Sequence, residues 1–127
     1  MIWKDKNVLV TGGMGMIGQE LTEKLMVLGA CVTVMDIKLG EEHDCREYSN
    51  CARFIEHYRP DFIFHLAGIK GNIWRTQNEP VDFMGPMLQF DTNMILAAQM
   101  YGVKKFLYTS SIAVENPESD KYPAWAK

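Results

Sequence analysis

The stretch Val8-Leu9-Val10-Thr11-Gly12-Gly13-Met14-Gly15-Met16-Ile17-Gly18 constrains the fold most, because it joins a short apolar strand to a helix through glycines at 12, 15 and 18. Backbone N–H groups at a helix start lack partners within the helix and carry the positive end of its dipole, so such a turn can hold a phosphate without a lysine. Each glycine has a geometric reason: a tight turn at Gly12, close approach of backbone to phosphate at Gly15, and helix–strand packing at Gly18. Three glycines in an apolar loop also suit a plain strand-to-helix turn, and the motif by itself leaves both readings open.

The residues that follow favour the phosphate cradle. Gln19 to Leu28 predicts a helix with Leu21, Leu25 and Leu28 on one face and Gly29 at its stop, and Cys31-Val32-Thr33-Val34-Met35 predicts a second apolar strand ending in Asp36. A carboxylate at that tip is where the dinucleotide fingerprint places the acceptor for the adenosine ribose hydroxyls. Asp36 repels a 2′-phosphate and no arginine follows it, so the expected cofactor is NAD rather than NADP; Lys38 is the one residue that leaves this open. The competing reading of Asp36 is a solvated strand-end carboxylate.

With 127 residues, of which 47% are hydrophobic, the chain suits a single compact core. The net charge of −3 and the scattered basic residues offer nothing to nucleic acid. No apolar run is long enough for a bilayer, and Trp3-Lys4-Asp5-Lys6 does not open a signal peptide, so no membrane partner and a cytoplasmic setting are expected. Cys31, Cys45 and Cys51 are odd in number and match no metal spacing, which predicts reduced thiols and no metal site.

Ile37 to Arg46 is polar and aperiodic, as a surface loop is. Asp44 with Glu47 resembles a capping pair for a helix carrying Tyr48, Cys51, Ile55 and Tyr58, which Pro60 ends. Asp61 to Leu66 is a third strand, apolar enough to be covered on both faces. A loop over Ala67 to Pro80 leads to a helix expected to open at Pro86 and stop at Gly102. The nine methionines follow helical spacing and read as core filler. Phe106-Leu107-Tyr108-Thr109 is a fourth strand, ending at Ser110 and Ser111. Strands alternating with helices predict an α/β fold, a Rossmann-type doubly wound parallel sheet of about four strands in the order 3-2-1-4. Ligands bind such sheets beyond the carboxyl ends of the strands, where Gly12, Asp36, Ala67-Gly68 and Ser110-Ser111 gather.

Three stretches in order, Thr11-Gly12-Gly13-Met14-Gly15-Met16-Ile17-Gly18, His65-Leu66-Ala67-Gly68 and Tyr108-Thr109-Ser110-Ser111, resemble the signatures of the extended short-chain dehydrogenase/reductase family, the NAD-dependent epimerase/dehydratase group. The resemblance implies an NAD-binding Rossmann domain over residues 1–127, incomplete, with the nucleotide-sugar domain of that family absent. Gly12, Gly15, Met16, Ile17 and Gly18 would hold the pyrophosphate, and Asp36 the adenosine ribose. Asp44 matches a residue that touches adenine, with Cys45 beside it, although capping explains Asp44 equally well. Leu66, Ala67 and Gly68 would line the nicotinamide half. His65, on an apolar strand, reads as a packed core residue.

The family's chemistry is hydride transfer between NAD and a sugar carbon. A tyrosine takes the hydroxyl proton, a lysine four residues on lowers the tyrosine's pKa and binds the nicotinamide ribose, and a Ser or Thr hydrogen-bonds the reacting oxygen. Ser111 matches the hydroxyl, and strand termination by Thr109, Ser110 and Ser111 is the competing reading. Lys127 matches the lysine by order, yet Pro123 stands four before it and Tyr122 five before. On a regular helix a step of five turns by about 140° where a step of four returns to about 40°, so Tyr122 and Lys127 would not share a face. Met87-Leu88-Gln89-Phe90-Asp91 stands where the family carries Asn-x-x-Gly-Thr. Lys70 and Arg75 read either as partners for a sugar-nucleotide diphosphate or as solvated loop charges.

Two functions follow as expectations. The first is the NAD-binding portion of a nucleotide-sugar epimerase or dehydratase, with turnover beyond what this stretch of sequence can complete. The alternative is a non-catalytic NAD-binding module that senses NAD or assembles with other subunits. The apolar surface left beside the fourth strand suits a homo-oligomer.

Overall fold

The computed structural model describes residues 2–110, so Ser111, Tyr122 and Lys127 lie outside the described residues. The order of elements is β1 (Asn7–Thr11), α1 (Met16–Val27), β2 (Cys31–Met35), two 3-10 turns (Ile37–Leu39 and Glu41–His43), α2 (Tyr48–Tyr58), β3 (Phe62–His65), α3 (Ile73–Asn78), α4 (Pro80–Met100) and β4 (Lys105–Tyr108). All pairings are parallel, with Val10 opposite Val34 and Phe64, and Phe64 opposite Leu107. The α/β Rossmann-type sheet is therefore as expected.

Its order is β2-β1-β3-β4, and it differs from 3-2-1-4 in the place of the third strand. That order sets the third strand beside β2, whereas α2 packs over Leu9 of β1 and carries the chain across it, so that β2 is left at the sheet edge. The next strand, β3, pairs on the open side of β1. The chain thus leaves β1 for one neighbour and returns to the other, and the crevice of a doubly wound sheet lies at such a reversal.

The two faces of the sheet are covered unequally. On one face Leu9, Met35 and Ile63 are buried beneath Cys51, Phe54 and Ile55 of α2 and Phe90, Met94 and Ala97 of α4. On the other, Val8, Val10 and Leu25 form a smaller cluster under α1. Trp3 supplies cover near β3, with its ring 5.1 Å from that of Phe62 and 5.9 Å from that of Phe64. Leu107 of β4 stays 47% exposed, the uncovered apolar surface expected beside that strand. A second apolar stripe, Val81, Met84, Leu88 and Ile95, is exposed along α4.

Several local details depart from the sequence reading; α1, for one, begins at Met16 rather than Gln19. α4 opens at Pro80, not Pro86, because both prolines satisfy the fixed φ of a first helical turn and the earlier one takes it; Pro86 then sits inside the helix. Within the expected loop, Asn72 accepts from the Arg75 amide at 2.9 Å and starts the short α3. At α2 the cap is Glu47 without a side-chain bond. The Asp44 carboxylate accepts instead from the Arg46 amide at 2.9 Å, so it shapes the turn before the helix rather than capping it.

Candidate dinucleotide site

The turn after β1 owes its shape to two glycines. Gly12 has φ +67°, and a Cβ there would come within 2.8 Å of the Ala67 nitrogen, so the ends of β1 and β3 touch across this residue. At Gly18 a Cβ would collide with the Gly12 carbonyl, and it would lie 2.6 Å from the Gly13 Cα, so the helix packs on the turn itself. Gly15 differs: its φ is −79°, and a Cβ there would meet the Gly12 carbonyl oxygen at 3.2 Å. A side chain there would need the Gly12 carbonyl to give by a few tenths of an ångström, a far smaller demand than at Gly12 or Gly18, and glycine also leaves the backbone open to close approach.

Gly15 caps α1 with no side chain, and the first turn of that helix carries no acid. Its amides at Met16, Ile17 and Gly18 are open to an anion, flanked by the side chains of Met16 and Ile17, 82% and 63% exposed.

Beside the turn, Gly12, Asp36, Asp44, Cys45, Ala67 and Gly68 line one cleft of about 260 Å³. Asp36, only 8% exposed, accepts from the Met14 amide at 2.9 Å through one oxygen and from the Lys38 amide at 3.0 Å through the other. It thereby ties the glycine turn to the tip of β2, and each oxygen keeps a lone pair for a further donor. The Lys38 ammonium reaches back to the Met14 carbonyl at 3.4 Å.

The Asp44 carboxylate is gripped by the Arg46 guanidinium, at 2.6 Å from one terminal nitrogen and 3.0 Å from Nε, and this pairing holds its pKa below the usual carboxylate range. Cys45 beside it is raised by its contact with Cys51 and by burial, so it remains a thiol and not a nucleophile. Leu66 lies elsewhere: its side chain packs with the cluster under α1, and only its backbone, with N–H to the Thr11 carbonyl at 3.1 Å, borders the turn.

Sequence reasoning passed over several lining residues. His43, Arg46, Ile69, Pro86 and Phe90 are among the further residues that wall the cleft. The Nδ1 of His43 is buried and has no partner among the described residues, while its ring packs edge-on to Phe54 at 4.8 Å. None of these belongs to a local motif. They meet because α4 and the turn after β2 converge over the sheet, which no spacing in the sequence reports. The open helix start, the glycine cradle and the orphaned His43 nitrogen fit a dinucleotide with an adenine end.

His65 is wholly buried, as its strand context predicts, but it is not an apolar bystander. Its Nδ1 lies 2.7 Å from the Thr11 hydroxyl and its Nε2 2.9 Å from Asp91. Burial lowers its pKa from the ordinary value near 6.5, with Asp91 opposing. An imidazole neutral when folded and protonated when unfolded makes the unfolded state bind more protons on acidification. Above pH 6.5 this group leaves stability flat, and stability is expected to fall as pH drops from 6.5 toward the lower native value. Urea midpoints taken between pH 7.5 and 5 check this, since the ordinary carboxylate range lies lower; a His65→Leu chain is expected to lose that slope.

Among the described residues no cluster of three or more His, Cys, Asp or Glu side chains suits a metal. No described helix is long and apolar enough to cross a membrane.

A parallel sheet with a glycine turn, an open helix start and a strand-tip carboxylate on one cleft is the architecture of the dinucleotide-binding α/β class. The chain belongs to the NAD dependent epimerase/dehydratase family, whose model matches residues 8–123. It is 30% identical over 111 residues to GDP-L-fucose synthase 1 of Arabidopsis thaliana, covering 87% of this chain and 34% of that protein. The chain thus spans about a third of the length of the curated relatives it matches. Among solved structures it is similar to the Thermus thermophilus UDP-glucose 4-epimerase in complex with NAD, with 28% identity and a TM-score of 0.76 over 94% of this chain and 43% of that one. The GDP-mannoheptose C4 reductase of Campylobacter jejuni with NADP bound shares the fold, with a TM-score of 0.77 at 19% identity over 92% of this chain and 36% of that one. The first of these structures holds NAD and the second NADP.

Proposed function

We propose that the chain is the NAD-binding portion of a nucleotide-sugar epimerase or dehydratase that acts by hydride transfer at a sugar carbon. The observation that carries this reading is Asp36, buried on the cleft wall and bonded to the glycine turn it faces. Its oxygens suit the two hydroxyls of an unmodified adenosine ribose and oppose a 2′-phosphate. Gly12, Gly15, Met16, Ile17 and Gly18 take the pyrophosphate on backbone amides. Asp44, Cys45 and His43 border the adenine, and Ala67 and Gly68 border the nicotinamide half.

When bound, NAD supplies hydride acceptance and return; the residues described here bind, orient and shield it. Ser111, Tyr122 and Lys127 remain the candidates for the proton-handling groups. A nucleotide sugar is the expected substrate of the longer protein, in keeping with the named activities of its relatives. Residues 1–127 form, on this reading, a dinucleotide-binding domain.

Isothermal titration tests the cofactor assignment. One NAD per chain is expected, with NADP binding at least about tenfold more weakly. Equal affinities, or tighter NADP, would overturn the choice of NAD.

A further inference from the structure

A chain of hydrogen bonds beneath the cleft runs through four elements. The Tyr108 hydroxyl of β4 donates to Asp91 Oδ2 of α4 at 2.8 Å, and Asp91 Oδ1 lies 2.9 Å from Nε2 of His65 on β3. His65 Nδ1 lies 2.7 Å from the Thr11 hydroxyl of β1, and that hydroxyl accepts from the Ala67 amide at 3.2 Å. Thr11 and His65 are both completely buried.

Counting protons fixes every direction. The Asp91 carboxylate only accepts, so Nε2 donates to it. A neutral imidazole has one N–H, so Nδ1 accepts, and the single proton of Thr11 points at it. The Thr11 oxygen is then turned so that a lone pair meets the Ala67 N–H. Burial of His65 keeps the ring neutral and is consistent with this assignment.

We propose that His65, as the Nε2–H tautomer, is a positioning residue for the dinucleotide site: by accepting from Thr11 it holds the hydroxyl that anchors the Ala67 amide against the Gly12 turn. The leverage is short. Thr11 precedes Gly12 in the chain, its carbonyl accepts from Leu66, and Ala67 and Gly12 both line the cleft while packing against each other. Without an acceptor at Nδ1, the Thr11 proton is stranded in a dry site and the hydroxyl rotates away from Ala67. The two strand ends then lose their side-chain tie at the point where the cofactor rests. That the ligand is NAD depends on the function proposed above; the tautomer and the Ala67 anchor do not.

The test uses 15N-labelled chain and two variants. In the wild type without nucleotide, the His65 ring is expected to show a protonated Nε2 and a bare Nδ1; an Nδ1–H ring overturns the inference whatever the variants do. His65→Leu removes both bonds at similar bulk, whereas His65→Asn places an amide oxygen where Nδ1 was and restores the acceptor for Thr11 alone. His65→Leu is expected to speed hydrogen exchange at Ala67 and weaken NAD by roughly tenfold. His65→Asn is expected to recover both, even though it leaves Asp91 without its imidazole.

A role in packing alone predicts the reverse ranking, leucine above asparagine, and that result overturns the inference. Wild-type affinity in His65→Leu does the same. If the wild type binds no NAD, the cofactor reading fails, and the positioning of Ala67 is decided by the tautomer and the exchange rates. If neither variant folds, the wild-type ring spectrum decides it.

Discussion

Replacing Gly12 with alanine is expected to destabilise the chain by about 3 kcal/mol and to abolish dinucleotide binding. Two costs add at this position. A φ of +67° places an L-residue in the left-handed region, at roughly 1 kcal/mol. The new Cβ also lies 2.8 Å from the Ala67 nitrogen and 2.9 Å from the Leu66 carbonyl carbon, which are backbone atoms that move only with β3. Such overpacking costs about 1–3 kcal/mol, and it pushes apart the two strand ends that form the floor of the cleft. Gly15→Ala provides the contrast. Its φ suits any residue and its one close neighbour is a carbonyl at 3.2 Å, so its stability is expected to change by less than about 1 kcal/mol while NAD affinity falls. Urea denaturation and calorimetry on both variants separate the glycine that shapes the turn from the one that admits the ligand.

The second large effect is expected at Asp36. Asp36→Asn keeps the shape but leaves one acceptor oxygen where two are in use, for the Met14 and Lys38 amides. The amide nitrogen must face one of those N–H groups or the ribose, and either choice removes a charge-assisted bond worth about 1.5–3 kcal/mol. NAD affinity is therefore expected to fall by roughly 10- to 100-fold. NADP is expected to lose less, because the variant also removes a buried negative charge that repels its 2′-phosphate, and Lys38 stays at hand. The ratio of the two dissociation constants reads this directly. An unchanged ratio would mean that the carboxylate does not face the ribose.

Much of the first half of the chain was legible because its signals are local. β2 has the bounds its apolar run implies, and the strand, glycine turn and strand-tip acid occur in the order in which they fold. What depended on distant parts of the chain was harder to read. Pro80 and Pro86 satisfy the same rule for a helix start, and what distinguishes them is the helical turn between them, whose Phe83 packs against Gly71 in the loop after β3. The strand order turns on which neighbour β3 takes, and its pairing with β1 rather than β2 is set by the crossover of α2, not by any local signal. Asp44 looked like a cap until Arg46, two residues on, took its carboxylate. His65 is buried as its strand context implies, but its partners Thr11 and Asp91 are 54 and 26 residues away and no periodicity announces them. Of the proposed site residues, six meet on one cleft, and they are the ones at strand ends or in the turn after β2.

The proposed dinucleotide lies across the glycine turn with its ribose on Asp36. Amide-resolved NMR during an NAD titration tests this most directly. Saturable shifts are expected at Gly12, Gly15, Met16, Ile17 and Gly18, at the Met14 and Lys38 amides that Asp36 holds, and at Ala67 and Gly68. Shifts absent from these amides at saturating NAD, or confined to the loop around Lys70 and Arg75, would contradict it.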